Sequence, residues 1–177
     1  MKQTARIAIC GVITALAVLL MLSTAVFPFA TIALPAIAGM LLCIIVIEIN
    51  GKWAVLGYIA ISIIGMMITP DREAAILFVC FFGFYPILKS GLEKIKFRAL
   101  EWIIKLSVFS VSIFVWYMIV MFILKMPGII DEYTQYGQIF MIAMVIMAYF
   151  VFVLYDISLT LLISTYINWF KPKFLRR

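Results

Sequence analysis

The sequence predicts an all-α integral membrane protein: a bundle of six transmembrane helices with both termini cytoplasmic. Three observations predict it. Of the 177 residues, 67% are hydrophobic and 12% charged, whereas a soluble domain carries roughly 45–50% and about 25%. Polar side chains are therefore too few to cover a globule in water. The apolar runs are also continuous, as in residues 41–47 and 108–124, and do not alternate with the period of two that a lipid-facing barrel strand needs. Finally, the Lys and Arg residues cluster at the ends of apolar runs, which is the pattern of membrane topology and not of a nucleic-acid groove.

A helix needs about 20 residues to cross a hydrocarbon core of roughly 30 Å, so the chain has room for about six crossings. The first, 7–26, follows Lys2 and Arg6 and stops before Pro28. It is read as a retained helix, because its apolar run is longer than a signal-peptide core needs to be. The second, 34–49, begins at Pro35 and ends at Asn50-Gly51-Lys52. The third, 53–69, ends at Pro70-Asp71-Arg72-Glu73, and the fourth, 74–88, ends where charges resume at Lys89. The connector from Lys89 to Lys105 is basic and amphipathic, suited to lying on anionic headgroups, with a protein partner as the alternative user of the same face. The fifth span is 103–124, and residues 127–138 read as a polar loop. The sixth span, 139–169, is long enough to tilt or to begin as an interfacial helix.

Six crossings place Lys2, Arg6, Lys52, Lys89, Lys94, Lys96, Arg98, Lys105, Lys171, Lys173, Arg176 and Arg177 on one side, and only Arg72 and Lys125 on the other. Positive charge collects on the cytoplasmic side, so both termini are expected there. The whole chain is expected as one multi-pass domain in a bacterial cytoplasmic membrane.

Several kinds of chemistry are disfavoured at once. There is no histidine, and Cys10, Cys43 and Cys80 lie apart in apolar runs with no metal-ligand spacing, so neither a zinc site nor a Cys/His dyad is expected. No phosphate-binding glycine loop is present. A lipid-acting enzyme would have to rest on Asp156 with Arg72 or Glu73, which fall at different depths and form no nucleophile–base pair. No catalytic residue, metal or cofactor is assigned.

Other residues do suggest binding. Ala8, Gly11 and Ala15 form a small-residue stripe on the first span, which lets another helix backbone approach closely. It serves either packing inside the bundle or the docking of a partner. In the last span, Asp156, Thr160, Ser164 and Asn168 recur every four residues, with Tyr149 on the Asp156 face. Each step turns the helix only about 40° past a full turn. A carboxylate at such depth costs about 2.5–3.5 kcal/mol on insertion scales, so this stripe is expected to face protein or water. It lines a substrate path, docks a partner or bonds neighbouring helices. On the outer side, Arg72 and Lys125 are the candidates for an anionic ligand group, with Trp116 and Tyr149 stacking on it or shaping the pocket.

Size, six spans, cytoplasmic termini and the strong inside charge together resemble the substrate-binding S component of energy-coupling-factor (ECF) vitamin transporters. The local marker is residues 2–16, a basic start followed by a face similar to the family's AxxxA motif, here Gly11 and Ala15. The resemblance implies that this face docks on a membrane-embedded T component, which itself binds two ATPase subunits. It further implies capture of a vitamin or related small organic micronutrient in the outer half of the bundle, and release by toppling in the membrane. Size and hydropathy are also similar to the rod-shape (MreD-like) family, so a non-transporting scaffold of envelope machinery is the alternative expectation.

Overall fold

A computed structural model describes residues 3–93, 97–120 and 127–170. These are helical almost throughout, with no strand among the described residues. Five helical stretches are long and apolar enough to cross a membrane, and a sixth apolar helix is shorter. The chain is thus an all-α, multi-pass membrane protein.

Helix α1, Gln3–Leu22, gives way to a 3-10 turn, Ser23–Ala25, and then to a second such turn, Pro28–Ala30, with proline at its first position. Helix α2 is Ala33–Glu48. Backbone at Asn50 is extended, and its carbonyl accepts the Ala54 amide at 3.2 Å to start α3, Gly51–Ile68. Helix α3 stops because Thr69 precedes Pro70 and is extended, the conformation a residue before proline prefers. Asp71 then caps α4, Arg72–Leu77, its carboxylate accepting the Ala74 amide at 3.1 Å.

The fourth span, expected as one run over 74–88, is two helices. After Leu77 the chain widens into a π-turn, Phe78–Phe82, breaks at Gly83 and Phe84, and resumes as α5, Tyr85–Leu92. The break precedes Pro86, which has no amide to donate to the Phe82 carbonyl four residues back, and the Tyr58 ring from α3 packs against Gly83 beside it. A Cβ on Gly83 would lie 2.6 Å from Tyr58 Cδ2 and 2.8 Å from Phe78 Cε1. The Tyr58 hydroxyl donates to the Val79 carbonyl at 2.8 Å, holding the ring against the widened turn.

Helix α6 is Arg98–Ile119 and α7 is Pro127–Thr165, followed by a π-turn at Tyr166–Phe170. The loop expected over 127–138 is therefore helical. Proline suits the first position of a helix, where its missing amide loses no bond, and no proline follows before α7 ends. Residues 121–124, the end of the fifth expected span, lie outside the described residues.

The chain divides into two compact units, residues 1–113 and 114–177, the division falling within α6. In the first, α1 packs on α2 and α3, and α2 also packs on α5 and the π-turn. The centre is built from Ala17, Met21, Ala38, Leu42, Ile45, Ala54, Ile61, Phe78 and Tyr85. Its alanines let backbones come close, which matters because lipid supplies no hydrophobic drive between helices. The fourth span is the most enclosed: 56% of its apolar stretch is buried, against 22% for α3. Phe81 anchors it, its ring 4.8 Å from Tyr85 and 5.2 Å from Phe109. In the second unit, the buried residues of α7 among the described side chains are Phe152, Tyr155, Asp156 and Leu159, whose spacing of three, one and three marks one helical face.

Candidate functional site: an open groove between α1 and α3

Helix α1 has two unlike faces. One buries Ala17 and Met21. The other exposes Ala8, Gly11 and Ala15. No atom lies within 4 Å of the place a Gly11 Cβ would occupy, whereas a Cβ on Gly57 of α3 would meet Ile45, Leu42 and Thr14 at 3.3–3.4 Å. The small residues of α1 that the sequence singles out are thus not the ones consumed by packing in the first unit. That role falls to Ala17, and to Gly57 from the facing helix.

Between α1 and α3 runs an open groove of about 710 Å³. Ile7, Gly11, Ala15 and Leu19 form one wall, and Trp53, Leu56, Ala60 and Ile64 the other. Its polar side chains include the Thr14 hydroxyl and the Cys10 thiol, the latter aimed at the Trp53 carbonyl at 3.8 Å. Such a surface accepts an apolar helix ridge, because the absent side chains of Gly11 and Ala15 leave room for a backbone. A polar metabolite would find few groups to orient it there.

The residues expected to hold a ligand are placed as follows. Arg72 is the first residue of α4 and is exposed; its Nη1 donates to the Met66 carbonyl at 2.5 Å, covering the last turn of α3. Trp116 of α6 is half-buried, and its indole Nε1 is buried with no hydrogen-bond acceptor among the described residues. Tyr149 of α7 is half-buried. Lys125 lies outside the described residues. Arg72 belongs to the first unit, and Trp116 and Tyr149 to the second.

The polar stripe of α7 divides along its length. Asp156 is buried, while Thr160, Ser164 and Asn168 are exposed. Successive four-residue steps of about 40° carry the stripe off the buried face. Two local bonds accompany it: the Thr160 hydroxyl donates to the Asp156 carbonyl at 3.0 Å, and Asn168 Nδ2 donates to Ser164 Oγ at 3.3 Å.

Two lysines differ from expectation. Lys89 and Lys105, read as part of a basic connector on lipid headgroups, are buried. Lys89 Nζ lies 3.4 Å from Glu93, and Lys105 Nζ lies 2.7 Å from Glu101. The carboxylate four residues away in each case was the available signal, since such spacing puts both groups on one helix face. The orphaned Trp116 indole and the orphaned hydroxyl of buried Thr69 have no sequence signal, because satisfaction of a polar group is a property of neighbours.

Cys10, Cys43 and Cys80 are free thiols, and among the described residues no three His, Cys, Asp or Glu side chains gather as metal ligands. Comparison of the chain with protein families, with characterised proteins and with solved structures finds no match in any of the three.

Proposed function

We propose that this protein is a solute-capturing membrane subunit, similar to the S component of ECF-type importers, which gains access to ATP hydrolysis by docking on a membrane partner. The observation that carries the reading is the unfilled small-residue face of α1, with Ala8, Gly11 and Ala15 exposed beside an apolar groove. A helix that keeps its glycine and alanines out of its own core has room for another backbone. The partner is a T component carrying two ATPase subunits, and the subunit itself performs no chemistry. Its cargo is a vitamin or related micronutrient, for which Arg72, Trp116, Lys125 and Tyr149 are candidate contacts by their residue chemistry. The imbalance of Lys and Arg supports a bacterial cytoplasmic membrane with both termini inside.

Affinity capture of the tagged chain from its native membrane in mild detergent tests this reading. The expected result is recovery of a membrane partner with paired ATPases, lost in Gly11→Leu. Recovery of cell-wall or cytoskeletal proteins alone would replace the transporter with an envelope scaffold. Recovery of no partner would remove the docking role altogether.

A further inference from the structure

The connection between α1 and α2 has an unusual chemistry. From Ile7 to Ile47 the sequence carries no charge, and between Ala25 and Ile32 its one polar side chain is Thr31. The other connections between spans all carry charge: Glu48 and Lys52, Asp71 to Glu73, Glu93 to Arg98, and Lys125 to Glu132. The side chains of this connection are not tucked into the protein. Phe29 is 86% exposed and Val26 71%, with Phe27 and Ile32 also exposed. The Phe27 and Phe29 rings meet edge to face at 5.8 Å.

The backbone here is largely occupied within itself. Ser23 O accepts the amides of both Val26 and Phe27 at 3.1 Å, and Phe27 O accepts that of Ala30 at 2.9 Å. Pro28 has no amide to satisfy. The Ser23 and Thr24 hydroxyls donate back to the carbonyls of Leu19 and Met21, each at 2.8 Å. Non-helical backbone enters a hydrocarbon boundary more readily the more of its polar groups are met internally, and the amides of Val26, Phe27 and Ala30 are met in this way.

Length points the same way. Helix α2 has 16 residues, a rise of about 24 Å at 1.5 Å per residue, which falls short of a hydrocarbon core of roughly 30 Å. Sinking the apolar connection supplies the missing depth. The exposed side chains also continue the exposed apolar flanks of the two helices, Leu19 on α1 and Ile37 on α2.

We propose that the 26–32 connection is a lipid-binding surface, seated among acyl chains at the edge of the hydrocarbon core, and not a loop in water. Its occupant is the bilayer, which Phe27 and Phe29 enter as a paired wedge. The inference does not depend on which partner or cargo the protein serves.

The test uses the full chain in vesicles of phosphatidylethanolamine and phosphatidylglycerol, with Cys10, Cys43 and Cys80 replaced by alanine and one new thiol at Phe29→Cys. Lys52→Cys, in a charged connection, is the water-facing control. A membrane-impermeant maleimide, offered to both faces, is expected to react at least tenfold more slowly at Phe29→Cys than at Lys52→Cys. A nitroxide at Phe29→Cys is expected to relax with oxygen and not with a water-soluble nickel chelate. Equal maleimide rates would overturn the proposal in favour of a solvated loop. Protection from oxygen and nickel together would overturn it in favour of a surface covered by protein. Phe27→Cys gives the same readings should Phe29→Cys fail to insert.

Discussion

Tyr58 and Gly83 occupy one space: the tyrosine ring lies where a side chain on Gly83 would stand, 2.6 Å from the position of its Cβ. The π-turn, the break in the fourth span and the placement of Phe81 in its aromatic cluster all sit around this contact. Gly83→Ala must push aside two aromatic rings, Tyr58 and Phe78, and such overpacking costs about 1–3 kcal/mol. Thermal unfolding in detergent is expected to show that loss, and no loss for Gly91→Ala, where the space is open. Equal melting of Gly83→Ala and the parent would mean that the contact is not tight.

Glycines on either side of the α1–α3 groove are expected to behave oppositely. Gly57→Leu would drive a side chain into Ile45, Leu42 and Thr14, with a cost toward or above about 3 kcal/mol. A Cβ on Gly11 has nothing within 4 Å and opens into the groove, so Gly11→Leu is expected to leave the melting temperature of the isolated protein unchanged. Gel filtration and melting of the two variants check this before any binding assay is interpreted.

The two lysine–carboxylate pairs differ in enclosure. Glu101 is 16% exposed at 2.7 Å from Lys105, and Glu93 is 36% exposed at 3.4 Å from Lys89. Removing one partner of an enclosed pair costs up to about 3–5 kcal/mol, while exposed pairs contribute about 1 kcal/mol or less. Glu101→Gln is therefore expected to lower the melting temperature more than Glu93→Gln. The reverse order would show that distance and enclosure are poor guides here.

Along α7, Asp156→Ala is expected to destabilise by about 1–3 kcal/mol, since a buried polar group is lost and its neighbours are left unsatisfied. Asn168→Ala, on an exposed part of the same stripe, is expected to stay within about 0.5 kcal/mol. Comparing the two melting curves separates a buried carboxylate from a merely polar helix face.

For the ligand reading, alanine at Arg72, Trp116, Lys125 and Tyr149 together is expected to abolish saturable binding of the micronutrient by the purified subunit. Unchanged affinity in that variant would remove these four residues from the site.

The sequence by itself determined the class of this protein, because continuous apolar runs and scarce charge leave a long helical chain no solvent but lipid. It also marked several helix boundaries, since Pro28, Asn50 and Pro70 act through local backbone rules that need no partner, while the end expected after Leu88 falls at Leu92. The small-residue stripe of α1 was legible as a pattern, but its use was not. Ala8, Gly11 and Ala15 are exposed while Ala17 and Gly57 are consumed by packing, and periodicity gives the same score to both faces of so apolar a helix.

Tertiary structure alone decided that Gly83 lies against a ring, because that ring comes from Tyr58, 25 residues away in the chain, whereas the break beside it has a local signal in Pro86. It also decided that Lys89 and Lys105 are buried: the carboxylate four residues away was legible in each case, but the room that neighbouring helices leave for a long side chain was not. The physical reason is common to these cases. Hydropathy and turn chemistry act over a few residues, whereas burial and close approach are set by which helix faces meet.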